Sequence, residues 1–183
     1  MKCSAQRQGA FTSPSAKVQR RKESGREERA VPLRLRKATI DEIDHQALAS
    51  YPEESCGAVL VAGDEEWVRP ITNIQNRLHR ESPAEHSRDA RTAYFMEPKE
   101  LLCVLRESED RKRPIRVFYH SHPEHGAYFS AEDRARAVAW DEPAYPEAVY
   151  LVVSVYGREV KERRAYAWDP AKRDFVEADL VVE

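Results

Sequence analysis

The stretch Phe118-Tyr-His-Ser-His-Pro-Glu-His-Gly-Ala-Tyr-Phe-Ser-Ala-Glu-Asp133 gathers metal-ligating side chains and a helix start into a short span. Pro114-Ile-Arg-Val-Phe-Tyr119 leads into it and is β-branched and aromatic enough to predict a strand. Side chains alternate across a strand, so His120 and His122 share a face and their imidazoles can share one ion. Pro123 is expected to end the strand. After a glycine-containing loop, Ser130-Ala-Glu-Asp133 is an N-cap signature opening an alanine-rich helix through Trp140. Asp133 falls in its first turn, where the helix dipole favours the carboxylate. Two neutral imidazoles and one carboxylate leave a coordination position open, the pattern of catalytic rather than structural zinc.

Each feature has a plainer reading on its own. Ser130 and Asp133 alone make a capping box, and paired histidines on a strand can be surface residues. Their conjunction favours a metal site. His125 does not extend the set: Pro123 and a spacing of three residues exclude the helical His-Glu-x-x-His geometry, so His125 is expected to be a loop residue near the cleft. A nucleic-acid deaminase is disfavoured because the Pro-Cys-x-x-Cys half of that signature is absent.

The elements that must position these groups follow from periodicity. Leu33-Leu35 is a short strand, and Thr39 is expected to cap a helix through about Ser50 with Ile40, Ile43, Ala47 and Leu48 at helical spacing. Cys56–Ala62 is a continuous apolar run bounded by Gly63-Asp64, a buried strand with Glu66–Thr72 as its antiparallel partner. From Asn73 to about Thr92 the chain is polar and aperiodic, predicting a long loop that forms a substrate-binding lip, with His79 and His86 as solvated loop histidines. Ala93–Met96 predicts a short strand, and Pro98 opens a helix to about Glu109 that buries Leu101, Leu102 and Leu105. Ala148–Tyr156 is the most apolar strand and should be central; Val160–Trp168 and a last edge strand follow it. The class is α/β or α+β, a mixed β-sheet flanked by helices.

Composition narrows the remaining classes. A chain of 183 residues is one domain of ordinary size, here 32–183, preceded by a basic extension over 1–31 that is too poor in large apolar groups to fold and carries no assigned chemistry. A net charge of −2 is no reason to expect a nucleic-acid or membrane partner. The three cysteines Cys3, Cys56 and Cys103 form no CxxC pair, which fits a reducing cytoplasm, and Cys56 reads as a small apolar residue entering a buried strand. No apolar run approaches the roughly 20 residues that span a bilayer.

His120-Ser-His-Pro123 with Ser130-Ala-Glu-Asp133 resembles the signature of the JAMM (MPN-plus) zinc metallopeptidases, whose upstream Glu-x-Cys-Gly is matched by Glu54 in Pro52-Glu-Glu-Ser-Cys-Gly57, not by Glu53. The resemblance runs from about residue 33 onward. It implies Zn²⁺ held by His120, His122 and Asp133, Glu54 as general base, Ser130 as oxyanion donor, and the JAB/MPN cytidine-deaminase-like three-layer fold. Segments Tyr94–Glu100, Tyr119–His122 and Tyr150–Ser154 are similar to short bacterial peptidases that release cysteine from a sulfur carrier. This implies a cytoplasmic metallopeptidase or isopeptidase that cuts the amide after the C-terminal Gly-Gly of a ubiquitin-like (β-grasp) sulfur-carrier protein. The alternatives are an inactive MPN-type scaffold, disfavoured by the full ligand set, and a RadC-like DNA-associated protein, for which no preceding helix-hairpin-helix region is found.

Overall fold

A computed structural model describes residues 32–183, so the expectations for Cys3 and the basic extension lie outside the described residues. The two runs richest in β-branched and aromatic residues lie side by side at the centre of the sheet: β4 (Ile115–Pro123) pairs in parallel with β7 (Val149–Tyr156), with His120 opposite Val152 and His122 opposite Ser154. On one flank β2 (Cys56–Ala62) pairs antiparallel with β4 and with β3 (Glu65–Ile71). On the other, β8 (Glu159–Asp169) and β9 (Asp174–Ala178) continue antiparallel, giving the order β3-β2-β4-β7-β8-β9. The fold is mixed α+β, a six-stranded mixed sheet flanked by helices.

The pleat divides the core in two. Val59, Val117, Tyr119, Leu151 and Val153 face α1 (Lys37–Ser50), which buries Ile40, Ile43 and Ala47 against them. Ala58, Leu60, Phe118, Tyr150 and Val152 face the opposite way, toward Val104 of α3 (Pro98–Arg111) and Ala137 of α4 (Ala131–Ala137). Alternation along β4 thus directs His120 and His122 to the α3/α4 side, two and four residues beyond Phe118 on the same face. Gly57 sits under the Tyr119 ring on the α1 side, where an added Cβ would collide with the phenol and with the Arg69 carbonyl; Tyr119 donates to Gln46 of α1.

Several local expectations yield to tertiary context. The first helix starts at Lys37, whose N–H donates to the Glu183 carbonyl (2.7 Å), because β1 (Leu33–Leu35) ends there on its parallel partner β10 (Leu180–Val182) in a separate two-stranded sheet. Thr39 is therefore buried in the first turn and is not the cap. The polar stretch 73–92 is no uninterrupted loop, since it contains α2 (Gln75–Glu81); His79 lies on that helix, half-buried, with Nδ1 2.7 Å from the His86 carbonyl. Residues 93–96 form no strand; only a bridge between Asn73 and Met96 remains. Helix α3 buries Val104 most deeply while Leu102 is 45% exposed and Leu105 half-buried. The strand of the histidines, by contrast, ends at Pro123 as expected.

The alanine-rich helix stops at Ala137 instead of reaching Trp140. Trp140 and Asp141 both adopt positive φ (50° and 63°) and close a two-residue turn between β5 (Val138–Ala139) and β6 (Glu142–Pro143), leaving Trp140 fully at the surface. Paired positive φ is the geometry of the hairpin turn that matches strand twist, and it overrides the alanine propensity here.

Candidate metal centre and its cleft

Three ligand-bearing side chains converge where β4 meets the first turn of α4. The Nε2 atoms of His120 and His122 lie 3.0 Å apart, Asp133 Oδ1 is 3.4 Å from His120 Nε2, and Asp133 Oδ2 is 3.8 Å from His122 Nε2. All three residues are buried. Zinc–ligand bonds of about 2.0–2.1 Å in a tetrahedron separate ligand atoms by roughly 3.3 Å, so the donor set fits a single zinc-sized ion. Tautomer chemistry agrees: His122 Nδ1 lies 2.9 Å from the Gly126 carbonyl, which can only accept, so its proton sits on Nδ1 and its Nε2 lone pair faces the cluster.

Charge is balanced within the cluster. Burial opposes the Asp133 carboxylate, but His120 and the Ser130 hydrogen bonds outweigh it and hold its pKa well below the usual carboxylate range. Burial likewise opposes charge on His120, and Asp133 overcomes it to raise the imidazole. His122 is pushed down to about 4 by burial and then by the charge of His120. His122 thus favours its neutral form and Asp133 its ionised form, as a metal ligand needs, whereas Asp133 favours the charged form of His120, whose proton a bound ion would displace.

Glu54 lies in the loop entering β2 and lines the same cleft as His122, Ser130 and Asp133, together with Tyr94, His125 and Arg136. It is buried, and that burial raises its pKa to about 7, with His120 pulling downward and Asp133 adding to the rise. Its loop is fastened to the histidine strand from the far side of the sheet: Ser121 Oγ accepts from the Ser55 N–H (2.8 Å), and Ser121 N–H donates to the Ser55 carbonyl (3.0 Å). The neighbouring Glu53 points away, exposed, and accepts from Asn76 Nδ2 at 2.7 Å.

Ser130 caps α4 and lines the cleft at once. Its Oγ accepts from the Asp133 N–H, which leaves the hydroxyl proton available to the cleft. His125 is exposed at the rim, its Nδ1 2.9 Å from the Pro123 carbonyl, outside the three-ligand cluster. Cys56 is buried with Sγ 3.3 Å from the Ile71 carbonyl, and burial drives its thiol pKa far upward, so it is packing and not a nucleophile.

Sequence reasoning assigned no role to Tyr94, whose ring stacks on His120 with centroids 4.5 Å apart and which also carries the Arg136 guanidinium 5.7 Å above it. Nor did it give one to Arg88, which meets Glu132 across the cleft, or to Arg136, which pairs with Glu132 one turn back on α4. The Tyr94–His120, Tyr94–Arg136 and Arg88–Glu132 contacts join distant segments that no spacing rule encodes, whereas Arg136 and Glu132 stand at the i,i+4 spacing of one helix face.

The family model described as prokaryotic homologs of the JAB domain matches residues 36–169. This chain belongs to that family. Among characterised relatives, a desampylase of Haloferax volcanii is 30% identical over 140 residues, covering 75% of this chain and 84% of the relative. Solution structures of a Desulfitobacterium hafniense protein (TM-score 0.58, 21% identity) and a Salinibacter ruber protein (TM-score 0.53, 24% identity) share the fold, each over 82% of this chain and 92% of its own. Among the described residues, no helix is long and apolar enough to cross a membrane.

Proposed function

We propose that this protein is a zinc-dependent isopeptidase that hydrolyses the amide following the C-terminal glycine of a ubiquitin-like protein. The observation that carries the reading is the buried His120–His122–Asp133 cluster sharing one cleft with Glu54. Family membership and the similarity to a desampylase support the class of substrate. His120, His122 and Asp133 would hold the ion, whose chemistry when bound is to lower the pKa of water and to polarise the scissile carbonyl.

The chain's own groups supply the rest. Glu54, buried in the same cleft, accepts a proton from water there and passes it to the departing amine. Ser130 donates its free hydroxyl proton to the developing oxyanion. Tyr94 holds the His120 ring against rotation. The narrow tail of a Gly-Gly terminus suits the site, since glycine alone lets a backbone pass closely beside a metal and its ligands.

The finer reading is a sulfur carrier of the β-grasp type, bearing cysteine or another adduct on its terminal glycine. The test is mass spectrometry of carrier–cysteine and carrier–lysine conjugates incubated with zinc-loaded protein, alongside elemental analysis. Release of free carrier from either supports the isopeptidase, and the preferred adduct defines the subclass. Intact conjugates with cleavage of unstructured peptides would identify a general endopeptidase instead, and a protein that takes up no zinc would remove the mechanism.

A further inference from the structure

Asn73 leaves the end of β3 at a point where three segments of the cleft meet, and its half-buried side chain uses all of its main hydrogen-bonding capacity there. Nδ2 donates to the Glu54 carbonyl (2.9 Å) and to the Ala93 carbonyl (3.2 Å). Oδ1 accepts from the Gln75 N–H (3.0 Å) and the Phe95 N–H (3.0 Å). Two backbone donors on one side and two carbonyls on the other fix which end of the amide is oxygen.

We infer that Asn73 is a positioning residue that sets Glu54 and Tyr94 in a common frame around the metal ligands, an inference that rests on the function proposed above. The segment carrying Tyr94 has a single bridge in place of a strand ladder, and the Asn73 side chain supplies partners for the Ala93 carbonyl and the Phe95 N–H on either side of that tyrosine, while the Phe95 carbonyl accepts from the Ile74 N–H (2.9 Å). Glu54 is gripped from both ends of its peptide units: its N–H donates to the Ala90 carbonyl (2.7 Å), and its own carbonyl accepts from Asn73. Ala90 is in turn held by Asn76, whose Oδ1 accepts the Ala90 N–H at 2.9 Å. A shift of the 90–95 segment therefore displaces the base and the ring stacked on His120 together. A misplacement of about 1 Å at a reacting group can cost about 100-fold in rate.

The isosteric Asn73→Asp separates this role from simple structural support. It keeps the two acceptor bonds but turns a proton-free oxygen toward the Glu54 and Ala93 carbonyls, so the tie to Glu54 is lost. The expected result is a kcat lower by about 10- to 100-fold, with KM within about threefold and zinc content unchanged. Ile43→Ala, a cavity on the opposite face of the sheet, is the control: it should lower the melting temperature and leave kcat as in the wild type. Amide exchange supplies a readout independent of activity, and in Asn73→Ala the Phe95 and Glu54 amides should exchange at least about tenfold faster. Wild-type kcat in Asn73→Asp, or unchanged exchange at both amides, would overturn the inference. Wild-type protein that cleaves no conjugate would sink the proposed function alone, and the exchange rates would then decide the role of Asn73.

Discussion

Ser130 and Asp133 hold each other reciprocally at the start of α4: Ser130 Oγ accepts from the Asp133 N–H at 3.1 Å, and Asp133 Oδ2 accepts from the Ser130 N–H at 2.8 Å. The same carboxylate faces both histidines, so the cap that starts the helix also aims the carboxylate of the candidate metal cluster. Structural and chemical roles of Ser130 are separable. Ser130→Ala should lose about 1 kcal/mol of stability with the cap and, with the oxyanion donor, about 100-fold or more in kcat. Ser130→Asp restores a cap without a hydroxyl donor, so its melting temperature should recover while its turnover does not. Recovery of both would make Ser130 a cap only.

Glu54 and Glu53 are adjacent, but only Glu54 is buried in the cleft. Glu54→Gln removes the proton acceptor and should lower kcat by about 10²- to 10⁴-fold with zinc retained. Glu53→Gln keeps a side-chain oxygen that can accept from Asn76 and should leave turnover within about twofold. Steady-state kinetics with parallel metal analysis checks both.

The raised pKa of Glu54 has a signature in stability. In chelator-treated protein the unfolded chain releases this proton near 4.5 and the folded chain near 7, so the folded state binds more protons between those values and stability falls as pH rises through that window. A shift of that size corresponds to about 3 kcal/mol, present in full above the folded value. Glu54→Gln should therefore be more stable than wild type at about pH 8 and nearly equal to it at about pH 4. Urea denaturation at the two pH values measures the difference; equal stability at both would mean that Glu54 is solvated.

Gly57 is pinned by the Tyr119 ring and the Arg69 carbonyl. Gly57→Ala should cost about 1–3 kcal/mol through displacement of Tyr119 and its bond to Gln46. Thermal denaturation of Gly57→Ala beside Gly57→Ala/Tyr119→Leu tests the cause, because removing the phenol should return part of the loss.

The convergence of His120, His122 and Asp133 was legible in the sequence because its order is local. Period-two alternation puts His120 and His122 on one face whatever the strand pairs with, and a capping box places Asp133 in the first turn of the next helix. The apolar runs of β2 and β7 likewise announce buried strands, since only the interior of a sheet absorbs so many consecutive β-branched residues. Other features required the folded chain. Leu33–Leu35 ends where β10 ends, so α1 begins before the threonine that local capping preference selects. The segment 93–96 satisfies its backbone through the Asn73 amide and a single bridge rather than through a ladder, and the helix after Asp133 is cut short by a hairpin that its alanine content opposes. The raised pKa of Glu54 and the stacking of Tyr94 on His120 depend on burial and on segments brought together from across the chain. Local periodicity and capping are written in neighbouring residues, whereas desolvation and long-range contact arise only when the sheet has closed around the site.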